Sequence, residues 1–354
     1  MPGTTLPPFP DDVLTHPLLV VDYQLIKEGN QQEIETLWKA ATSLGFWYLK
    51  NHGAEQEVND MFDMGAETMA LPLDEKLMFE QGDDGVSFGY KKAGANATDE
   101  TGKNLDTVEF INVAKDDALA YPQVARRSYP RTVNARMEST ITPFVRKSLD
   151  VNYTIMGVFN DKLGLPKGTI AKYHDLREYS GSEARCIKNP PMPGVSAAKV
   201  AIGAHTDFGS LSFLHNRLGG LQVLPPGHEE WSYVKPIPGH AICNVGDALA
   251  IFSGGILQSN IHRVIPPPGA QAHHERWSLV FFTRPGNSAL LRALVEDSPV
   301  IAGAVAQKPE KNFETGSTSE AWFARRIKNQ RIKNRTGPET WQASRGTEHK
   351  PTAA

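Results

Sequence analysis

Three side chains in two separate segments have the types and spacing that a mononuclear metal centre requires. In Val200-Ala-Ile-Gly-Ala-His205-Thr-Asp207 an extended chain turns residues of equal parity to one face. His205 and Asp207 then point the same way, with only the small Ala201 and Gly203 beside them, while Val200, Ile202 and Ala204 point the other way. Ser259-Asn-Ile-His262-Arg-Val264 supplies a second strand histidine. Two imidazoles and one carboxylate form the facial set that leaves three cis positions open on non-haem Fe(II). Beyond His262, Arg276-Trp-Ser278 puts a guanidinium and a hydroxyl on one strand face, a fork suited to a carboxylate. A His-x-Asp pair alone is equally a polar strand end; the set as a whole carries the reading.

Positioning these groups falls to the region from about 184 to 284. Short apolar or aromatic runs alternate there with Gly, Pro and Asn punctuation, the texture of an antiparallel sandwich or barrel. Gly219-Gly-Leu-Gln222 and Asn244-Val-Gly-Asp247 read as turns, with Asp247 expected to organise its turn and not the metal. Residues 1–15 read as a Pro-rich arm. Residues 16–120 read as mixed strand and helix: a strand near Leu18–Asp22, a helix opened by a capping-box-like Asn30 and Glu33 and closed by Gly45, an aromatic strand at Phe46–Leu49, and a helix ending before Pro72. Gly82, Gly85, Gly89, Gly94 and Gly102 mark 83–105 as a long mobile loop, expected to act as a lid. Residues 121–178 form a helical region, with a long helix near 140–163 stopped by Gly164 and Pro166. The β-rich core occupies 179–286, and 287–354 is a helical extension with a basic end. Ten Lys/Arg against five Glu fall in 301–354, and this run reads as a solvated helical face anchored by Trp322, Phe323 and Ile327.

Composition excludes several classes. The chain has 354 residues, 22% of them charged, and a net charge of −3, so no overall field calls for nucleic acid or an anionic membrane. No apolar run reaches the roughly 18 residues of a membrane span. Cys186 and Cys243 are too few for a disulfide framework and read as buried thiols, so a reducing, cytoplasmic setting is expected. His52 reads as structural, and His228-Glu229-Glu230 lacks the second histidine of a zincin. Dinucleotide, Walker and nucleophile-elbow motifs are absent from the sequence.

The ordered set resembles the isopenicillin-N-synthase-like branch of the Fe(II)/2-oxoglutarate-dependent dioxygenases over about residues 16–290. Gly45-Phe-Trp-Tyr-Leu-Lys-Asn-His-Gly53, Leu71-Pro-Leu-Asp-Glu-Lys76 and Gly89-Tyr90 carry the N-terminal part; the segments around His205, Gly219, Asn244, His262 and Arg276 carry the core. The resemblance implies an α+β fold with a mainly β core. This is a distorted jelly roll (double-stranded β-helix) flanked by N-terminal, central and C-terminal helices. It implies Fe(II) on His205, Asp207 and His262, with O2 and 2-oxoglutarate as cosubstrates, the latter's distal carboxylate on Arg276 and Ser278. One departure matters. Where the family has an Asn and then a Tyr-Pro pair, Arg185-Cys-Ile-Lys-Asn-Pro190 places Ile187 and Asn189, so Asn189 or Lys188 is expected to replace the missing phenol. The implied reaction oxidises a C–H bond of a small organic molecule by hydroxylation, desaturation or cyclisation, in secondary metabolism. Phe88, Tyr90, Phe110, Phe208 and Phe282 are the candidate walls of an apolar or aromatic substrate pocket. The alternatives are a 2-oxoglutarate-independent Fe(II) oxidase of the same fold and an inactive jelly-roll binding protein. Stoichiometric succinate release separates the first, and iron binding the second.

Overall fold

The computed structural model describes residues 6–195 and 199–347. Part of the N-terminal arm and the last seven residues of the extension, including Lys350, lie outside the described residues. The strands are β1 (Val20–Asp22), β2 (Phe46–Lys50), β3 (Gly89–Lys91), β4 (Glu109–Ala114), β5 (Glu183–Asn189), β6 (Ile202–His205), β7 (Leu211–Asn216), β8 (Leu221–Val223), β9 (Ser232–Tyr233), β10 (Ala241–Val245), β11 (His262–Val264), β12 (Arg276–Thr283), β13 (Leu290–Arg292) and β14 (Glu314–Thr318). An eight-stranded sheet runs β1-β2-β10-β7-β12-β5-β4-β3, and a four-stranded sheet runs β6-β11-β8-β9. Together they form the jelly roll, and helices cover the outer face of the larger sheet.

Strand parity explains the two faces. Phe46, Tyr48, Phe110, Ile187, Ile242 and Val280 point inward and pack with Leu221, Val223 and Val264 of the smaller sheet. The intervening Trp47, Leu49, Ile111, Cys186, Leu279 and Phe281 point outward, into a core shared with the helices Glu55–Met69 and Thr142–Lys162. Each such aromatic or aliphatic side chain contributes roughly 1.5–3 kcal/mol by leaving water. The helix Glu55–Met69 packs closely on β5 because residue 65 is glycine; a Cβ there would overlap the Cys186 thiol. Burial raises that thiol to about 12, which suits a packing role.

Local signals place most elements. The side chain of Asn30 caps the helix Gln31–Ser43 by accepting from the Glu33 amide at 3.1 Å. The expected capping box is only half formed, because the Glu33 carboxylate accepts from the Asp22 amide and so ties helix to strand. Gly45 adopts φ +79° against the Gln258 carbonyl, where a side chain would collide.

Two readings change. First, the Gly-rich segment is structured. It contributes β3 to the large sheet and runs along the C-terminal segment, with Ala97 N donating to Gln330 O at 3.1 Å and Ile332 N to Ala95 O at 3.0 Å. Second, the basic C-terminal helix, Ser319–Gln330, is a solvated face only in part. Phe323 and Ile327 anchor it as the spacing suggests, yet Arg326 is wholly buried and paired with Asp247. Among the described residues, no helix is long and apolar enough to cross a membrane.

Candidate metal centre and cosubstrate clamp

His205 closes β6 and His262 opens β11, and the two strands pair antiparallel with these residues opposite each other. Their ring centroids lie 4.4 Å apart. Asp207 follows β6 by two residues, and its Oδ1 is 3.7 Å from Nε2 of each histidine. That is too long for a hydrogen bond and leaves room for an ion between the three. Ligand atoms of His205, Asp207 and His262 all lie within 4.8 Å of one another.

The surroundings orient each donor. His205 Nδ1 faces the Gly203 carbonyl at 2.7 Å, and His262 Nδ1 faces the Asn260 carbonyl at 3.2 Å. A carbonyl accepts only, so each Nδ1 carries the proton and each Nε2 keeps its lone pair toward Asp207. Asp207 Oδ2 accepts from Asn244 Nδ2 at 2.7 Å and from Ser212 Oγ, which leaves Oδ1 for a metal. Burial would raise this carboxyl, but the two imidazoles and these hydrogen bonds hold it well below the usual carboxylate range. Burial, reinforced by His262, pushes His205 well below its ordinary value and keeps it neutral. An ionised carboxylate and neutral imidazole form the donor set that a divalent transition metal takes. The residues therefore fit an Fe(II) ion. Ser212 and Asn244 escape the sequence reading, since nothing local marks a strand serine or asparagine as a carboxylate's partner.

On β12, Arg276 Nη1 donates to Ser278 Oγ at 2.6 Å and Nε to the Gly219 carbonyl at 2.6 Å. Arg276 is 3% exposed, and among the described residues no carboxylate pairs with it. Burial lowers it to about 10, so it stays cationic at neutral pH. Gly220, at φ +108°, makes room: a Cβ there would meet the Ile265 carbonyl at 2.5 Å and Arg276 Nε at 3.2 Å. A buried guanidinium without a carboxylate partner among the described residues is costly, and its fork is suited to an incoming carboxylate.

The register sorts the two candidates for the missing phenol. Asn189 stands directly opposite Arg276, on the inner face, where its Oδ1 accepts from Thr107 Oγ1 at 2.7 Å. Lys188 stands opposite Trp277, on the outer face, and pairs with Glu275 at 3.0 Å. The expectation for Lys188 is thus corrected by strand parity.

Phe110, Phe208 and Phe282 line one cavity together with His205 and Asp207. Phe88 and Tyr90 do not. Tyr90 lies on the opposite face of β3 and donates to Glu109 Oε2 at 2.7 Å, while Phe88 borders a different cleft, beside Arg126 and Gly181. The cavity beside His205 and Asp207 is also lined by Arg185, Arg284, Arg331 and Arg345, none of which the motif reading singles out as site residues. Asp247 accepts from Ser259 Oγ, Thr347 Oγ1 and Arg326, joining its turn to the C-terminal segment behind the centre.

Comparison with known proteins agrees. A sequence profile described as the 2OG-Fe(II) oxygenase superfamily matches residues 178–285, and one described as the N-terminal region of non-haem dioxygenases in morphine synthesis matches 18–134. The chain is 28% identical over 339 residues to a 2-oxoglutarate-dependent dioxygenase of Aspergillus fumigatus, covering 85% of this chain and 84% of that one. It is 27% identical over 282 residues to a 2-oxoglutarate-dependent dioxygenase of a Dothideomycetidae species, with 78% and 84% covered. The fold superimposes on a full-length Neurospora crassa protein crystallised with alpha-KG and thymine, at a TM-score of 0.71 and 22% identity, covering 90% of this chain and 98% of that one. With the two profiles spanning well over half of its length and the centre built as described, this chain belongs to the Fe(II)- and 2-oxoglutarate-dependent dioxygenases, enzymes that use O2 as the oxidant.

Proposed function

We propose that His205, Asp207 and His262 hold Fe(II), that Arg276, Ser278 and Asn189 hold the distal carboxylate of 2-oxoglutarate, and that the enzyme oxidises a C–H bond of a small organic molecule seated between Phe110, Phe208 and Phe282. The observation that carries the proposal is the convergence of the three ligand atoms, with both imidazole Nδ1 atoms and Asp207 Oδ2 already engaged elsewhere. When bound, Fe(II) and 2-oxoglutarate supply O2 activation coupled to decarboxylation, with succinate and CO2 as coproducts. The chain itself provides position and dryness. Asn244 and Ser212 fix the carboxylate, the Gly203 and Asn260 carbonyls fix the tautomers, and Arg276 sets the end of the cosubstrate. The phenyl walls and the C-terminal helix exclude water, which strengthens every charge interaction inside. Regional assignments follow the same reading, with 179–286 as the catalytic core and 287–354 as an extension that closes it.

Iron analysis of purified variants tests the proposal. His205→Ala, Asp207→Ala and His262→Ala are each expected to lose most bound iron and all coupled succinate release while retaining the wild-type circular dichroism spectrum. Full iron occupancy with normal turnover in any one of them contradicts the assignment.

A further inference from the structure

The cavity beside the triad carries more positive charge than the cosubstrate accounts for. Its lining includes four arginines, Arg185, Arg284, Arg331 and Arg345, against two carboxylates. Asp207 is committed to the metal, and Asp106 is already paired with the buried ammonium of Lys91. Behind the wall, one carboxylate serves two guanidiniums: Glu183 pairs with Arg185 at 2.8 Å and with Arg284 at 3.3 Å.

Arg331, from the C-terminal segment, is only weakly compensated. It is 3% exposed, its Nη atoms donate to the neutral side chains of Asn96 and Gln81, and the Asp83 carboxylate lies 3.8 Å from its Nε, beyond hydrogen-bond reach. Among the described residues its Nε has no hydrogen-bond partner, and neither does that of Arg284. Buried guanidiniums in this state are stabilised by an incoming anion.

That anion is distinct from the cosubstrate. Arg276 opens β12 and Arg284 follows its end, eight residues on. At about 3.3 Å per residue their backbones are roughly 26 Å apart along the strand. One five-carbon diacid cannot engage both.

We propose that the organic substrate is itself an anion: a small aromatic or apolar carboxylic acid whose body lies in the cavity bordered by Phe110, Phe208 and Phe282 and whose carboxylate is held by the cluster around Arg331. Arg185 sits between the two rings, stacking on Phe110 at 4.4 Å and on Phe282 at 4.9 Å, and Arg284 stacks on Phe282 at 4.9 Å, so rings and guanidiniums form one wall of the cavity. The inference rests on the Fe(II)/2-oxoglutarate reading of the site and names the class of its substrate. Arg331 acts as a specificity residue supplied by the C-terminal extension.

The test uses the full chain loaded with Fe(II) and 2-oxoglutarate without O2. Benzoic, phenylacetic, cinnamic and 2-naphthoic acids are titrated beside their carboxamides, with binding read from the change in visible absorption of the iron complex and from thermal stabilisation. At least one acid is expected to bind, with its amide at least tenfold weaker. Arg331→Gln is expected to weaken the acid about tenfold and leave amide binding and 2-oxoglutarate affinity unchanged, while Arg331→Lys restores part of the loss. If Arg331→Gln fails to fold, the acid–amide comparison in the wild type decides alone. Equal binding of acids and amides, or binding of none of the acids by a protein that does bind 2-oxoglutarate, overturns the inference. Failure to bind 2-oxoglutarate itself counts against the underlying site reading instead.

Discussion

Among individual side chains, Arg276 should dominate the affinity for 2-oxoglutarate. Its charge is buried without a carboxylate partner among the described residues, and truncating one member of a desolvated charge pair commonly costs about 2–5 kcal/mol. Ser278 offers one neutral hydrogen bond, so Ser278→Ala should cost about 1 kcal/mol. Asn189 already accepts from Thr107 and stands opposite Arg276, so Asn189→Ala should raise the 2-oxoglutarate requirement by a similarly small amount with iron retained. Lys188→Ala should behave like the wild type, because its ammonium pairs with Glu275 on the far face. Succinate release against 2-oxoglutarate concentration checks all four. Asn244→Ala should weaken iron retention by removing the hydrogen bond that fixes Asp207 Oδ2, an effect of roughly 10–100-fold for such outer partners. Direct titration of the apoprotein with Fe(II) measures it. The Arg-x-Ser fork was legible in the sequence because strand parity is local and both residues lie on β12, whereas the triad was legible from residue types and spacing, since Asp207 lies beyond the end of β6. Ser212 and Asn244 were illegible because their role depends on two other strands meeting Asp207.

Among strands and helices, the C-terminal helix and the Gly-rich segment act as one wall. Asn96 and Gln81 bond Arg331, and Asp83 pairs with Lys333 at 2.9 Å, so neither segment can swing away without the other. Hydrogen exchange in residues 94–106 and 326–334 is therefore expected to rise and fall together, both becoming more protected with substrate present. Protection of the Gly-rich segment alone would break this link and restore the independent lid. The wall is pinned by Arg326, whose wholly buried guanidinium pairs with Asp247. Removing one partner of a buried pair typically costs about 3–5 kcal/mol, so Arg326→Leu should lower the urea midpoint markedly. The sequence showed this helix and its apolar anchors, since Phe323 and Ile327 follow helical spacing. It concealed the burial of Arg326, whose carboxylate partner lies 79 residues away. A charged residue reads as exposed until its partner is known. The same limit hid the sheet placement of β3, since three residues carry no period of their own.

The protein as a unit should lose stability in mild acid. His174 is buried between the Ile170 carbonyl and Ser210 Oγ, and burial lowers it to about 4; His215 is likewise held well below its ordinary value by burial and by His52. The unfolded chain takes up protons on these groups near pH 6.5, whereas the folded one does not until far lower. Stability therefore rises with pH across that window and falls as pH drops from about 6.5 toward 4. His174 alone should account for about 1.5 kcal/mol between pH 6.5 and 5. Urea midpoints at the two pH values should show it, with a smaller difference in His174→Gln; pH-independent midpoints would refute it. The central claim concerns how iron and cosubstrate are held, and equilibrium dialysis of labelled 2-oxoglutarate without O2 tests it most directly. The wild type should bind one equivalent only when Fe(II) is present, Asp207→Ala should bind none tightly, and Arg276→Leu should bind at least about 30-fold more weakly, the equivalent of about 2 kcal/mol. Unchanged, iron-independent binding in either variant would contradict the account.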